Sequence, residues 1–380
     1  MRAPGELSAG HDGHRVAGLD LLRGLAALSV ALPHFFAYRG AFPDAAETIS
    51  ALAVEVFFVL SGYVLAPQIL FCLGAGRPRH LGVFLVRRWM RTIPPYLVAL
   101  LLISILSRQL GGADFLRYLC YAQNLFRQSN TTDYFAIAWS LSVEEWFYVT
   151  FPSLLLAAAW LFGRRDRRFA VVFGIGFCIA IAIARTLFGD LGDWGAAVRR
   201  VVAFRLDSIG YGFLLYVAVD RAGSARLSRM PGWAIALIAV VATVCAYVVL
   251  DRITETGNPA GEQLFPFAAA IFGAAAILCA VRAEGTIQRL RALAWLGRYL
   301  GRVSYSTYLF HVILIELIGA TLPHASAVVQ LALFLPALFG FTTLFYVYFE
   351  RPILAARPHY RSRRPPALDP LTAVAPADRR

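Results

Sequence analysis

Residues 18–38 read GLDLLRGLAALSVALPHFFAY. A bilayer hydrocarbon core of about 30 Å takes roughly 20 helical residues, so this run is long enough to cross it. It does not read as a cleaved leader, because Asp20 and Arg23 interrupt what would be the apolar core and Pro33 and His34 stand at its far end. The stretch is expected to remain as a first transmembrane helix, and each ionisable residue in it then needs a reason for being there.

The rest of the chain has the same character. Its 380 residues are 59% hydrophobic, 13% aromatic and only 16% charged, with a positive mean hydropathy. That composition excludes a disordered chain and argues against a water-soluble domain. Ten apolar runs of suitable length emerge, at about 18–38, 50–73, 83–106, 135–162, 169–188, 201–219, 232–250, 264–281, 303–320 and 328–349. The fold class expected is an all-α integral membrane protein of about ten transmembrane helices with no soluble domain.

Orientation follows from charge. Every basic residue is Arg and the net charge is +13. Alternate connections (74–91, 163–168, 220–230, 282–302 and the tail after 349) hold 24 Arg, whereas those between them (39–49, 107–134, 189–200, 251–263 and 321–327) hold seven. The Arg-rich side is expected to be cytoplasmic, which puts both termini inside and assigns the charge to topology and anionic headgroups. A nucleic-acid partner then has no motive. The domains expected are a cytoplasmic segment at 1–17, a membrane domain at 18–352 and a Pro- and Arg-rich cytoplasmic tail at 353–380 that is disordered. Cys72, Cys120, Cys178, Cys245 and Cys279 are widely spaced, without a CxxC pair or a neighbouring His at ligand spacing, so they read as apolar fillers and no metal is expected.

Intramembrane polar residues are the candidate machinery. Arg23 and His34 are eleven residues apart, nearly on one helical face and about 16 Å apart along the axis. Alone, Arg23 is equally an interfacial anchor and His34 an interhelical hydrogen bonder; sharing a face, they favour a site. Glu144 and Glu145, in Trp139-Ser140-Leu141-Ser142-Val143-Glu144-Glu145, are expected at a depth similar to His34. One of them could orient the imidazole, and a buried bridge to an Arg is the alternative. Arg205 and Asp207 read equally as structural pairing or as a site. Ser304, Tyr308 and His311 form an i, i+4, i+7 stripe that lines a groove or cements helices. Arg87, Arg88 and Arg91 at the entrance of the third run either anchor it or clamp a polyphosphate. Glu55 and Ser61 are left undecided.

These residues resemble acyltransferase family 3, membrane proteins that O-acylate sugars and related envelope molecules. Arg23 to His34 is similar to its Arg-x10-His signature. Phe57 to Tyr63 and Trp139 to Tyr148 resemble two further segments, with Trp146 where Gln is commoner, and Arg88 to Tyr96, Arg205 to Gly212, Ser304 to His311 and Tyr348 to Pro352 follow in order. The resemblance covers about 18–352. It implies transfer of an acyl group, usually acetyl, from cytoplasmic acyl-coenzyme A to an acceptor hydroxyl in a bacterial plasma membrane. It further implies donor phosphates at Arg87, Arg88, Arg91 and Arg23, and His34 as general base or transient acyl carrier, oriented by Glu144 or Glu145. Ser304, Tyr308 or Arg205 would serve the oxyanion or the donor, and Arg205, Asp207, Trp139 and His311 the acceptor, a sugar or glycolipid. Some members append an esterase-like domain that completes delivery, so the expectation here is that either the membrane domain finishes the transfer itself or a separate extracytoplasmic partner does. The rival is a polar-lined transporter or flippase that uses the same residues without chemistry.

Overall fold

The computed structural model describes residues 16–128, 132–189, 194–219, 230–256, 259–358 and 360, and the described residues contain helices and no strand. The segment 1–15 and the tail 361–380 lie outside the described residues, and with them the expectation of a disordered tail. The principal helices are α1 (Ala17–Ala37), α2 (Pro43–Ala75), α3 (Pro78–Leu106), a short α4 (Ala113–Leu119), α5 (Ala138–Leu161), α6 (Arg167–Phe188), α7 (Leu206–Val219), α8 (Gly232–Thr256), α9 (Pro259–Arg289), α10 (Arg291–Thr321), α11 (Ala327–Phe345) and a terminal turn α12 (Arg351–Ala355). Each of the ten apolar runs is helical over most of its length.

Nine segments among the described residues are long and apolar enough to cross a membrane. The run that falls short is α5, because Glu144 and Glu145 lie in it. Its burial explains how it tolerates them: Val143, Phe147, Phe151, Leu155 and Ala159 are all enclosed by other helices. A helix with little surface facing lipid need not be apolar all round. Several helices are longer than their hydropathy suggested. α2 has 33 residues and α10 has 31, so both extend past the roughly 20 needed for the hydrocarbon. Asp166 caps α6 by accepting the Phe169 N–H at 3.0 Å, which holds this exposed carboxyl below the usual carboxylate range.

Close backbone approach sets the helix registers. α2 crosses α7 at two glycines: a Cβ on Gly62 would come within 1.9 Å of the Ile209 carbonyl oxygen, and one on Gly212 within 1.9 Å of the Val59 carbonyl oxygen. α1 crosses α10 in the same manner, with Gly24 against Leu300 and Gly297 against Ala17. In lipid, where apolar burial does not itself drive helix association, small residues allow the dispersion contacts that do. Gly62→Ala is therefore expected to cost about 1–3 kcal/mol by overpacking, read as a lowered thermal midpoint in detergent. Gly82→Ala, where an added Cβ would meet nothing within 4 Å, should leave the midpoint unchanged or raise it.

The helix ends sort into two groups. At one, the Trp160 indole donates to the Gly76 carbonyl, Arg167 to the Val217 carbonyl, and Arg87 to the Pro358 carbonyl. At the other, Arg199 pairs with Glu47 at 2.9 Å and Arg200 with Asp133 at 3.0 Å. The connection between α3 and α5, which reads as an external loop, folds inward there. Gln123 donates to Ser142 at 2.5 Å, Asn124 to the Trp139 carbonyl at 3.1 Å, and Tyr118 is buried. This plug recesses the start of α5 below the surface, with consequences for its glutamates.

Candidate active site

Two cavities lie along the α1–α10 contact. The first, of about 70 Å³, has Arg23 of α1, Arg88 and Arg91 of α3, Glu144 of α5, and Ser304 and Tyr308 of α10 in its walls. The second, of about 340 Å³, is bordered by His34 and Tyr38, by Asp133, Tyr134 and Ile137, and by Glu316. No residue lines both. Between them the hydroxyls of Ser140 and Tyr308 are 2.6 Å apart, and each lies 3.2 Å from the Ile137 carbonyl. The partition is thus a hydrogen-bonded pair of side chains closed on a backbone acceptor.

In the first cavity the Glu144 carboxylate accepts from Ser61 and from Tyr148, each at 2.7 Å. Two hydroxyl donors at a carboxylate in a confined space give it a fixed orientation. Arg88 has its Nε buried without a partner, an unused donor beside the cavity. Its free volume of about 70 Å³ is the smaller of the two, space for a slender chain or a few waters. Arg87 is not in the wall: it donates to the Pro358 carbonyl at 2.6 Å and lies 5.6 Å from the Tyr360 ring centroid. The four-Arg cluster expected at the donor end is therefore three Arg in the cavity and one engaged by the chain after α12. Among the described residues no group of three or more His, Cys, Asp or Glu could hold a metal.

The second cavity departs further from expectation. His34 Nδ1 is 2.9 Å from Nε2 of His311, and the two rings meet edge to edge, their planes 16° apart and their centroids 5.1 Å apart. His311 Nδ1 in turn is 2.7 Å from the Tyr308 carbonyl oxygen. Neither glutamate orients His34. Because the plug recesses α5, Glu144 falls at the level of Ser61 and Arg23, toward the opposite end of α1, and Glu145, about 100° round the helix, is absent from both cavity walls. His311, expected against the acceptor, is fully buried behind His34.

Three other residues expected at the acceptor are also elsewhere. Arg205 is wholly buried in an ion pair with Glu55. Asp207 accepts from both terminal nitrogens of Arg185, at 3.2 and 2.9 Å. Trp139 is buried beneath the Arg199 guanidinium, 5.5 Å from its ring centroid. None of the three lines either of these two cavities. Each is engaged within the helix packing, two by ion pairs and Trp139 by a cation over its ring. The residues missed were Tyr148, the partner of Glu144, and Arg185. Tyr148 sits at i+4 from Glu144, a signal the sequence did carry.

The family model for the acyltransferase domain matches residues 16–351. The chain belongs to acyltransferase family 3. It is similar to "Putative peptidoglycan O-acetyltransferase YrhL" of Bacillus subtilis, with 29% identity over 326 residues that cover 78% of this chain and 48% of that protein. Peptidoglycan O-acetyltransferase OatA of Listeria monocytogenes is 28% identical over 185 residues, 44% of this chain and 28% of that one. The family 3 chain thus spans about half the length, or less, of these curated relatives. No solved structure matches it. As a member of the family it is a multi-pass membrane protein, and Arg23 and His34, the two ends of the Arg-x10-His signature, stand in the walls of different cavities.

Proposed function

We propose that the chain is a bacterial membrane O-acyltransferase that moves an acyl group, in the first instance acetyl, from acyl-coenzyme A to a hydroxyl of a sugar or other envelope acceptor. The observation that carries this is the pair of cavities: one with three Arg, the other with an imidazole, meeting at a partition of two hydroxyls. In this reading residues 18–352 are the membrane domain, with 1–17 and 353–380 on the cytoplasmic side. The Arg-rich end faces the cytoplasm, as the Arg asymmetry of the connections requires.

The donor's phosphates meet Arg23, Arg88 and Arg91, whose buried Nε on Arg88 is a ready donor. Its pantetheine arm follows the narrow first cavity and displaces the Tyr308–Ser140 contact, so that the thioester comes to His34. The acceptor enters the larger cavity. Its hydroxyl gives its proton to His34 as its oxygen bonds to the acyl carbon; the C–S bond breaks, and the departing thiolate takes the proton back from the ring. Once freed from each other, the Tyr308 and Ser140 hydroxyls are donors at the height where the oxyanion develops. Acylation of the ring itself, followed by transfer, would use the same nitrogen lone pair.

Membrane vesicles supplied with labelled acetyl-coenzyme A on the Arg-rich side are expected to incorporate label into an extracted glycan or lipid. Label that never leaves the donor, with an acceptor moved across unmodified, would establish the transporter instead. Within the same assay Arg88→Ala should raise the donor KM about tenfold or more, with little change in the rate at saturation, because it removes a phosphate contact made equally in ground and transition states. An unchanged donor saturation curve would take Arg88 out of the donor site.

A further inference from the structure

The His34–His311 contact determines which nitrogen of His34 carries the proton. The Tyr308 carbonyl can only accept, so His311 Nδ1, 2.7 Å away, bears a hydrogen. In a neutral ring this leaves His311 Nε2 as an acceptor, and His34 Nδ1, 2.9 Å from it, must donate. His34 Nε2 is then the unprotonated nitrogen. A doubly protonated His311 would break this chain of inference, but it would be a charge buried against backbone carbonyls and a neighbouring imidazole, with no carboxylate paired to it among the described residues.

Resting on the acyltransferase reading, we propose that His311 is the positioning residue for His34, performing with a neutral imidazole and a backbone carbonyl what a carboxylate performs in a hydrolase triad. It holds His34 as the Nδ1–H tautomer and directs Nε2 at the 340 Å³ cavity that His34 borders and His311 does not. Tyr308 thereby has two functions: its hydroxyl belongs to the partition and its carbonyl orients the relay. The arrangement is rigid because Gly24 and Gly297 fix the α1–α10 register and His311 is fully enclosed. A neutral relay also suits a site in lipid, since it stabilises the imidazolium formed in the reaction through a hydrogen bond and dipoles without keeping a second charge buried between turnovers.

Two measurements test this. The first uses the wild-type chain in lipid nanodiscs with 15N-labelled histidine, the His34 signals being assigned by their loss in His34→Gln. The expected pattern is a protonated Nδ1 and a bare Nε2; a protonated Nε2 on His34 in the resting protein overturns the proposal, whether or not transfer activity is found. The second compares His311→Gln, whose amide oxygen can reach the Nε2 position and accept, with His311→Phe, which keeps the volume and removes the acceptor. The Phe variant is expected to lose about 100-fold in kcat with donor KM unchanged, and the Gln variant to recover most of that loss. Equal rates in the two variants overturn the positioning role, because a purely structural ring would be better replaced by Phe. Absence of acetyl transfer by the wild-type chain would count against the acyltransferase reading alone, and the nitrogen spectrum still decides the tautomer.

Discussion

Replacing His34 with Ala is expected to reduce acetyl transfer by about 10²- to 10⁴-fold, the usual contribution of a positioned general base, which corresponds to roughly 3–5 kcal/mol on the barrier. The size of the effect follows from what else borders the larger cavity. Asp133 is held by Arg200 and by the Tyr118 hydroxyl, and Glu316 lies beside Tyr38; neither is behind a relay that directs it. No substitute base stands ready. The substitution enlarges a cavity that already exists, so expression and thermal midpoint should stay near wild type. That separates a chemical loss from a folding loss. The check is incorporation of labelled acetyl under donor saturation, and equal labelling by the variant and the wild type would remove His34 from the mechanism.

The second large effect concerns stability. Arg205→Met is expected to cost about 3–5 kcal/mol, since it leaves Glu55 as an uncompensated buried carboxylate. Arg205 and Glu55 are both essentially unexposed and are each other's ionic partner, so Glu55→Met should cost a similar amount. The double variant Glu55→Met/Arg205→Met should regain most of the loss, because two apolar side chains of comparable volume leave no stranded charge. Thermal midpoints in detergent, read as a double-mutant cycle, give the coupling. A double variant no more stable than either single one would mean that shape at this α2–α7 contact matters more than charge.

Much of the fold was legible in the sequence because lipid imposes a simple rule: backbone groups must pair within the helix, and the side chains facing outward must be apolar. The apolar runs, each helical over most of its length, reflect that rule. Glu144 and Glu145 obscure α5 to hydropathy, yet the run was long enough to be recognised. Arg23 and His34, singled out by their spacing, stand in the walls of the two different cavities. What the sequence could not supply was the register between helices. His311 was visible as the end of a polar stripe with Ser304 and Tyr308, but its contact with His34 depends on how far α10 is shifted along α1. That shift is set by close approaches such as Gly24 to Leu300, which no periodicity announces. The depth of Glu144 was misjudged for a related reason. The plug formed by Gln123 and Asn124 reads as an ordinary polar loop, and only its inward hydrogen bonds explain why α5 begins below the surface.

The 2.6 Å contact between Ser140 and Tyr308 has a consequence for the cell as well as for the reaction. A catalyst that joins two faces of an energised membrane is, in principle, a short circuit for protons. With both hydroxyls turned toward each other and toward the Ile137 carbonyl, the cavity on the arginine side and the cavity on the imidazole side share no lining residue. On the proposed donor route, an acyl arm that parts these hydroxyls would itself fill the opening, so that insulation of the membrane voltage would pass from the protein to its substrate and back in each turnover.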